Sequence, residues 1–244
     1  SGGLYYQLGS GQADVQNRNG AVFFVLENLV FGTSFTVLRT FSCDLQLFRR
    51  EYQKGIYRVS SYFLAKTGAD LVYQLFLVLL LTIPIYLLVG FNSDIKVAAQ
   101  AIGHYVLFAL CGYSWGYLVA ALGSREEIGV ILNPVLLLPQ VLVGGFLINS
   151  GSIPIGLRWL QDFSFIRYGF ENLMILEWDR PKETLTCEDL TQCPYPDGAS
   201  VLSYLNIDAN HYQRNFWCLM GLTLGFRLLA YVVIRYQVRQ VEIW

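Results

Sequence analysis

Charge is scarce in this 244-residue chain: Asp, Glu, Lys and Arg make up 14% of it, against about 25% in soluble domains. So few ionised side chains cannot coat a water-soluble fold of this size. The chain also has none of the short motifs that mark common chemistry. GxxxxGKS and GxxxxGKT, HExxH, CxxC and a Gly-rich dinucleotide turn are all missing. Two histidines leave no legible catalytic dyad. The net charge of −1, with no basic face at base-stacking spacing, gives no sign of a nucleic-acid partner. No Asn-x-Ser/Thr sequon occurs, and SGGLYYQLGSG at the start has neither an initiator Met nor the layout of a signal peptide. The sequence reads as a fragment, with Gly2–Leu8 as the last turns of a helix that begins before it.

What is present is apolar and aromatic. Hydrophobic residues reach 54% and aromatics 15%, with 16 Tyr and 5 Trp, a composition suited to anchoring rings at two membrane interfaces. The expected fold class is an all-α polytopic membrane protein. Residues 1–8 end a first helix, and complete spans are predicted at 19–42, 67–91, 97–123, 128–148 and 215–236. A stretch of about 20 apolar residues crosses a ~30 Å hydrocarbon core. Between the first two complete spans, residues 43–66 form a connector with the densest positive charge in the chain: Arg49, Arg50, Lys54, Arg58 and Lys66. Short loops rich in Lys and Arg stay cytosolic, so this connector is expected inside and residues 149–214 outside. The apolar clusters IPIGLRWL and FSFIRYGFENLMILEW in that outer segment read as amphipathic or re-entrant helices at the interface.

Several residues stand out against the apolar background. Glu27 and Asn28 lie inside the first complete span; a charge there costs about 2.5–3.5 kcal/mol, so both should face protein or a wet cavity. An interhelical hydrogen bond is the plain reading of Asn28. Arg227 lies in the last span and either snorkels or pairs with an acid such as Glu27. Pro84 is tolerable if a neighbour or Thr82 satisfies the carbonyl it frees. Pro134, Pro139 and Gly144-Gly145 mark the 128–148 span as broken near its outer end. His104 reads as a packing residue rather than a metal ligand, since no second His, Cys or acid has ligand spacing. GYSWG at Gly112–Gly116 matches a nucleophile-elbow pattern but sits within a span, where small residues for helix packing explain it better. Cys43, Cys111 and Cys218 read as small buried hydrophobes. Cys187 and Cys193, in a Pro/Gly-rich outer loop, favour a small disulfide, with free thiols or an intersubunit bond as rivals.

QNRNGAVFF, REYQKGIYRVSSYFLAK, GGFLINSGSIP and RWLQDFSFIRYGFENL, in that order, resemble the transmembrane domain of G-subfamily ABC half-transporters. That group holds the breast-cancer-resistance multidrug exporter, the White pigment transporters and the sterol exporters, and the similarity runs nearly end to end. It implies six helices per half, an N-terminal ATP-binding domain outside this sequence, and ATP with Mg as that domain's ligands; this chain needs no cofactor of its own. It implies a homo- or heterodimer with a second half-transporter, among membrane lipids, exporting a lipophilic substrate. The plasma membrane is the expected location, with an intracellular vesicle as the other. By resemblance, Asn28 and Phe31 form a substrate clamp with Phe24 nearby, Leu138 and Val141 line the same slit, and Phe146-Leu147 form a gate. Arg50, Glu51, Tyr52 and Tyr57 contact the ATP-binding domain, and Cys187 and Cys193 fall in the outer loop. Glu27 replaces a neutral polar residue of the multidrug member, and Arg227 is like the sterol and pigment members, which leaves the substrate class open. A channel or assembly subunit is the alternative, though no continuous polar stripe lines any span. A membrane enzyme would need clustered His or acids.

Overall fold

A computed structural model describes residues 12–91, 94–123, 126–148, 156, 158–179 and 195–241. Eight α-helices occur among them: α1 (Gln12–Gln53), α2 (Val59–Val89), α3 (Ile95–Gly123), α4 (Glu126–Leu142), α5 (Arg158–Phe163), α6 (Phe165–Trp178), α7 (Gly198–Tyr204) and α8 (Tyr212–Val241). Short connections make α1 to α4 alternate in direction. The bundle therefore has a basic end, where α1 and α3 finish and α2 and α4 start, and a far end opposite. Four helices have the length and hydropathy to cross a membrane: Asp14–Gln53, Val59–Val89, Ile95–Gly123 and Ala209–Val238.

The middle helix α3 is the hub, packing on α1, α2, α4, α6 and α8. GYSWG explains its closest seam. A Cβ on Gly112 would lie 2.7 Å from Thr33 Oγ1, and one on Gly116 would lie 2.9 Å from the Ser34 carbonyl oxygen. The glycines let α1 and α3 approach backbone to backbone. Asn133, fully buried, ties α4 into that seam: its Nδ2 donates to Ser34 Oγ (2.9 Å), and Trp115 Nε1 donates to its Oδ1 (3.2 Å). By contrast α2 turns Val72, Phe76, Leu80, Leu81 and Leu87 outward, all more than half exposed. An outer face so uniformly apolar suits lipid.

The structure refines four expectations from the pattern. First, α1 continues as helix beyond 42 through Gln53, and α2 already starts at Val59, so within the 43–66 connector only 54–58 is non-helical. Arg, Leu and Gln are good helix formers and carry the helix past the apolar stretch. The chain turns at Gly55, whose φ of 71° suits a residue without Cβ. Second, α4 has 17 residues, about 25 Å of helix at 1.5 Å per residue, short of a ~30 Å core. It ends at Leu142, before Gly144 and a Gly145 with φ of 95°, so the break near the outer end is present, and α4 is not among the four helices with the length and hydropathy to span. Third, Thr82 Oγ1 donates to Val78 O at 2.8 Å, so it does not serve the Leu80 carbonyl that Pro84 frees.

Fourth, of the two alternatives for this segment, amphipathic or re-entrant, α6 does not take the amphipathic one. All of its residues except Arg167 and Leu176 are buried, and it packs against α1, α3, α4, α7 and α8. A Cβ on Gly169 would meet Phe108 at 2.4 Å, so α6 and α3 touch at a glycine. Its charged residues are matched in space. Arg167 Nε donates to Glu171 Oε1 (2.6 Å), Asn215 Nδ2 to Glu171 Oε2 (2.7 Å), and Arg18 Nη1 to Glu177 Oε1 (2.6 Å). Pairing is what allows acids this deep. Gly2–Leu8, Cys187 and Cys193 lie outside the described residues.

Candidate functional site

One face of α1 has no partner among the described residues and is not purely apolar. Asn28, Phe31, Gly32, Phe35, Thr36, Arg39 and Thr40 line an open depression of about 580 Å³. These positions fall three, four or seven apart, which puts them on one helical face. The Asn28 Nδ2 donates to Phe24 O at 2.7 Å, which fixes the amide and leaves its Oδ1 as an acceptor over the groove. Phe24 is 38% exposed at the upper edge. The Phe31 and Phe35 rings stack with centroids 6.2 Å apart, and Gly32, with nothing within 4 Å of a Cβ position, leaves the floor open. The hydroxyl of Thr36 is spent on Gly32 O (2.7 Å) and that of Thr40 on Thr36 O (3.0 Å).

Beside this face, α4 packs on α1 and presents an apolar stripe of Ile131, Val135, Leu138 and Leu142. The two α4 positions singled out from the sequence part company: Leu138 is 53% exposed, while Val141 is 3% exposed and belongs to the core of the bundle. The expected gate divides in the same way. Phe146 stacks on Phe23 (4.6 Å) and meets Phe170 edge-on (5.8 Å), so its ring is engaged inside the chain, whereas Leu147 stays exposed.

At the basic end, Phe48 is fully buried at the centre of a ring cluster. Tyr62 stacks on it at 4.2 Å, Tyr57 at 5.9 Å, and Tyr52 tilts against it at 5.9 Å. The Tyr57 hydroxyl donates to Glu51 across the 54–58 break, and that bond to a carboxylate pushes the Tyr57 phenol above its ordinary range. Arg50 is exposed beside them. The four lever residues expected from the resemblance thus lie on one short piece of chain around a single ring stack.

Other polar groupings in space were not read from the sequence. Lys66 bridges Asp44 (2.7 Å) and Asp70 (3.2 Å), and the Tyr117 hydroxyl donates to Asp70. The spacing of Lys66 and Asp70, like that of Arg167 and Glu171, is legible as a helical pair; Asp44 and Tyr117 arrive only by folding. Arg227 does not reach Glu27: its Nε donates to Ser114 Oγ at 2.9 Å. His104 is buried against Tyr212 and Phe216, with its Nε2 unbonded. Among the described residues no group of three His, Cys, Asp or Glu could hold a metal, and Cys43, Cys111 and Cys218 are free thiols, with Cys43 exposed rather than buried.

A hydrophobic multi-helix bundle with one uncovered polar-aromatic face fits many membrane proteins. The family decides between them: residues 1–178 match the ABC-2 type transporter membrane-domain model. The chain belongs to that family. Its relatives place it in the G subfamily of ABC transmembrane domains, and it is an integral multi-pass membrane protein. It is 34% identical over 233 residues to Protein white of Ceratitis capitata, an alignment covering 95% of this chain and 34% of that protein. It is 29% identical over 241 residues to the ABC transporter ATP-binding protein/permease wht-1 of Caenorhabditis elegans, with 96% and 36% covered. The broad substrate specificity ATP-binding cassette transporter ABCG2 of Mus musculus shares 32% over 178 residues, with 72% and 27% covered. The chain spans about a third of the length of these curated relatives.

Proposed function

We propose that this ABC-2 domain is the substrate-translocating half of an ATP-driven exporter of lipophilic molecules, a lipid, sterol, xenobiotic or pigment precursor. One observation carries the reading: the α1 face interleaves Phe24, Phe31 and Phe35 with Asn28, Thr36 and Arg39 and has nothing over it among the described residues. A lipid-facing surface does not hold an amide and a guanidinium among its rings, because each polar group there costs free energy. The outward face of α2, with its bare Leu and Val, is the contrast within the same molecule. The α1 face, with Leu138 beside it, therefore meets a second half-transporter across a slit.

In that slit Phe31 and its mate stack a flat apolar molecule and Asn28 Oδ1 accepts one hydrogen bond. Val141 supports the wall from behind, and Phe146 backs the exposed Leu147 at the exit. The basic end faces the cytosol, since the cations of the connector cluster there, and the far end faces outside. The ATP-binding domain, with ATP and Mg, belongs to the rest of the protein, in keeping with the names of the relatives, an ATP-binding protein/permease and an ATP-binding cassette transporter. Its closure pushes on Arg50, Glu51 and Tyr52, and α1, one unbroken helix from that end to the clamp, transmits the displacement. Transport then follows from a substrate affinity that differs between the open and collapsed slit. The plasma membrane is the proposed site of action, and a disulfide between Cys187 and Cys193 is proposed for the oxidising side.

The test is Phe31→Ala in the full-length protein in lipid. Substrate-stimulated ATP hydrolysis and export should be lost, while dimers persist on size exclusion; normal export by this variant would remove the clamp from the mechanism.

A further inference from the structure

A second concavity lies at the far end, away from the α1 face. It measures about 620 Å³ and is lined by α5, α6, the start of α8 and the turn before it, a size suited to a small ligand. Its lining is polar, and the polar groups are unevenly satisfied. The acids are all engaged: Glu171 accepts from Arg167 and Asn215, Asp162 accepts from Arg167 at 3.2 Å, and Asp208 caps the Ala209–His211 turn through Asn210 N at 2.9 Å. Asp208 also faces His211 at 3.8 Å.

The groups left over are donors. Gln161 is 6% exposed, lines the cavity, and its Nε2 is buried with no hydrogen-bond partner. The Arg158 guanidinium has no ion-pair partner among the described residues. Arg214 donates to the neutral Oδ1 of Asn215, at 3.2 and 3.4 Å, with the Asp208 carboxylate near it but no ion pair formed among the described residues. A buried donor left without an acceptor costs about 1–3 kcal/mol, so this arrangement favours whatever brings acceptor oxygens into the cavity. Two guanidiniums and an amide N–H together suit an oxyanion.

The surroundings say where that oxyanion comes from. The same six-residue helix that supplies Arg158 and Gln161 holds Trp159 and Phe163 outward, each 62% exposed, and Trp217 on α8 is 61% exposed. Exposed aromatics at the end of a membrane bundle lie at the headgroup level.

We infer that the far-end cavity binds a phosphate oxyanion through Arg158, Gln161 and Arg214, presented as the headgroup of an anionic lipid. The site is distinct from the α1 groove and needs only that the far end meets the headgroup layer, so its failure leaves the transport reading untouched. The experiment uses the full-length protein in nanodiscs of phosphatidylcholine alone or mixed with phosphatidylglycerol, with retained lipid read by native mass spectrometry. Inorganic phosphate forms a separate arm, read by thermal shift.

Phosphatidylglycerol should be retained in preference to phosphatidylcholine. Arg158→Gln combined with Arg214→Gln should weaken that preference roughly tenfold or more, and Gln161→Leu roughly fivefold. A thermal shift with inorganic phosphate, lost in the same variants but without lipid preference, would keep the oxyanion site and move its source to solution. Equal retention of both lipids with no response to phosphate would overturn the inference, as would undiminished preference in the arginine pair. The wild-type comparison of lipids decides the matter even if a variant fails to fold.

Discussion

At the far end the helices are fastened by ions: Arg18 to Glu177, and Arg167 and Asn215 to Glu171, with α6 wedged between them. At the basic end they meet through rings, with Tyr52, Tyr57 and Tyr62 around Phe48 and the chain broken at 54–58. A buried ion pair has one good geometry and loses heavily when displaced. Stacked rings keep most of their contact while sliding, because dispersion is non-directional. The contrast suits a bundle held at one end and pushed at the other. The Lys66–Asp44–Asp70 group is the exception, an ionic tie close to the basic end that joins α1 to α2 across the break.

The sharpest way to break this comparison is at Glu171. Glu171→Leu leaves Asn215 without its acceptor and Arg167 with only the exposed Asp162, and should cost about 3 kcal/mol, seen as a large fall in the melting temperature of the purified protein. A far end that tolerates the change would not be an ionic lock.

At the basic end Tyr57→Phe should cost less than about 1 kcal/mol, as for other exposed pairs, yet reduce substrate-stimulated ATP hydrolysis by slackening the 54–58 break. The Tyr57–Glu51 bond also has a pH signature. Its phenol lies above the ordinary range in the folded state, so its contribution is fully present below the ordinary tyrosine pKa of about 10. It is lost as pH rises through the higher folded value, and Tyr57→Phe should erase that alkaline transition in a stability profile.

The smallest effect belongs to Asp197, which caps α7 through Ser200 N at 2.8 Å. Asp197→Ala should cost about 0.5–1 kcal/mol. Bonds from Ser200 hold this carboxylate below its usual range. Its contribution is present above the ordinary value and fades as pH falls through the depressed one, which thermal melts at acidic pH would register.

Much of the bundle was legible. Apolar runs located the long helices, GYSWG marked a close helix contact without saying with which partner, and Pro134, Pro139 and Gly144-Gly145 announced the end of α4. The amphipathic alternative for α6 failed for a definite cause: Arg167, Glu171 and Glu177 look like a wet face in one dimension. Their partners Arg18 and Asn215 are far along the chain and near only in space. Val141 and Phe146 were placed by analogy, and packing drew both inward.

Composition and periodicity determined by themselves that this chain lives in a bilayer, where its long helices lie and which end carries the cations, because hydrophobic burial and charge cost depend on local sequence. Which helix is core and which meets lipid was decided only by folding. So were the sealing of the charges on α6, the partner of Arg227 and the gathering of unsatisfied donors at Gln161. Each of these depends on what stands within a few ångströms, and neighbours at that distance come from helices that the chain visits many residues apart.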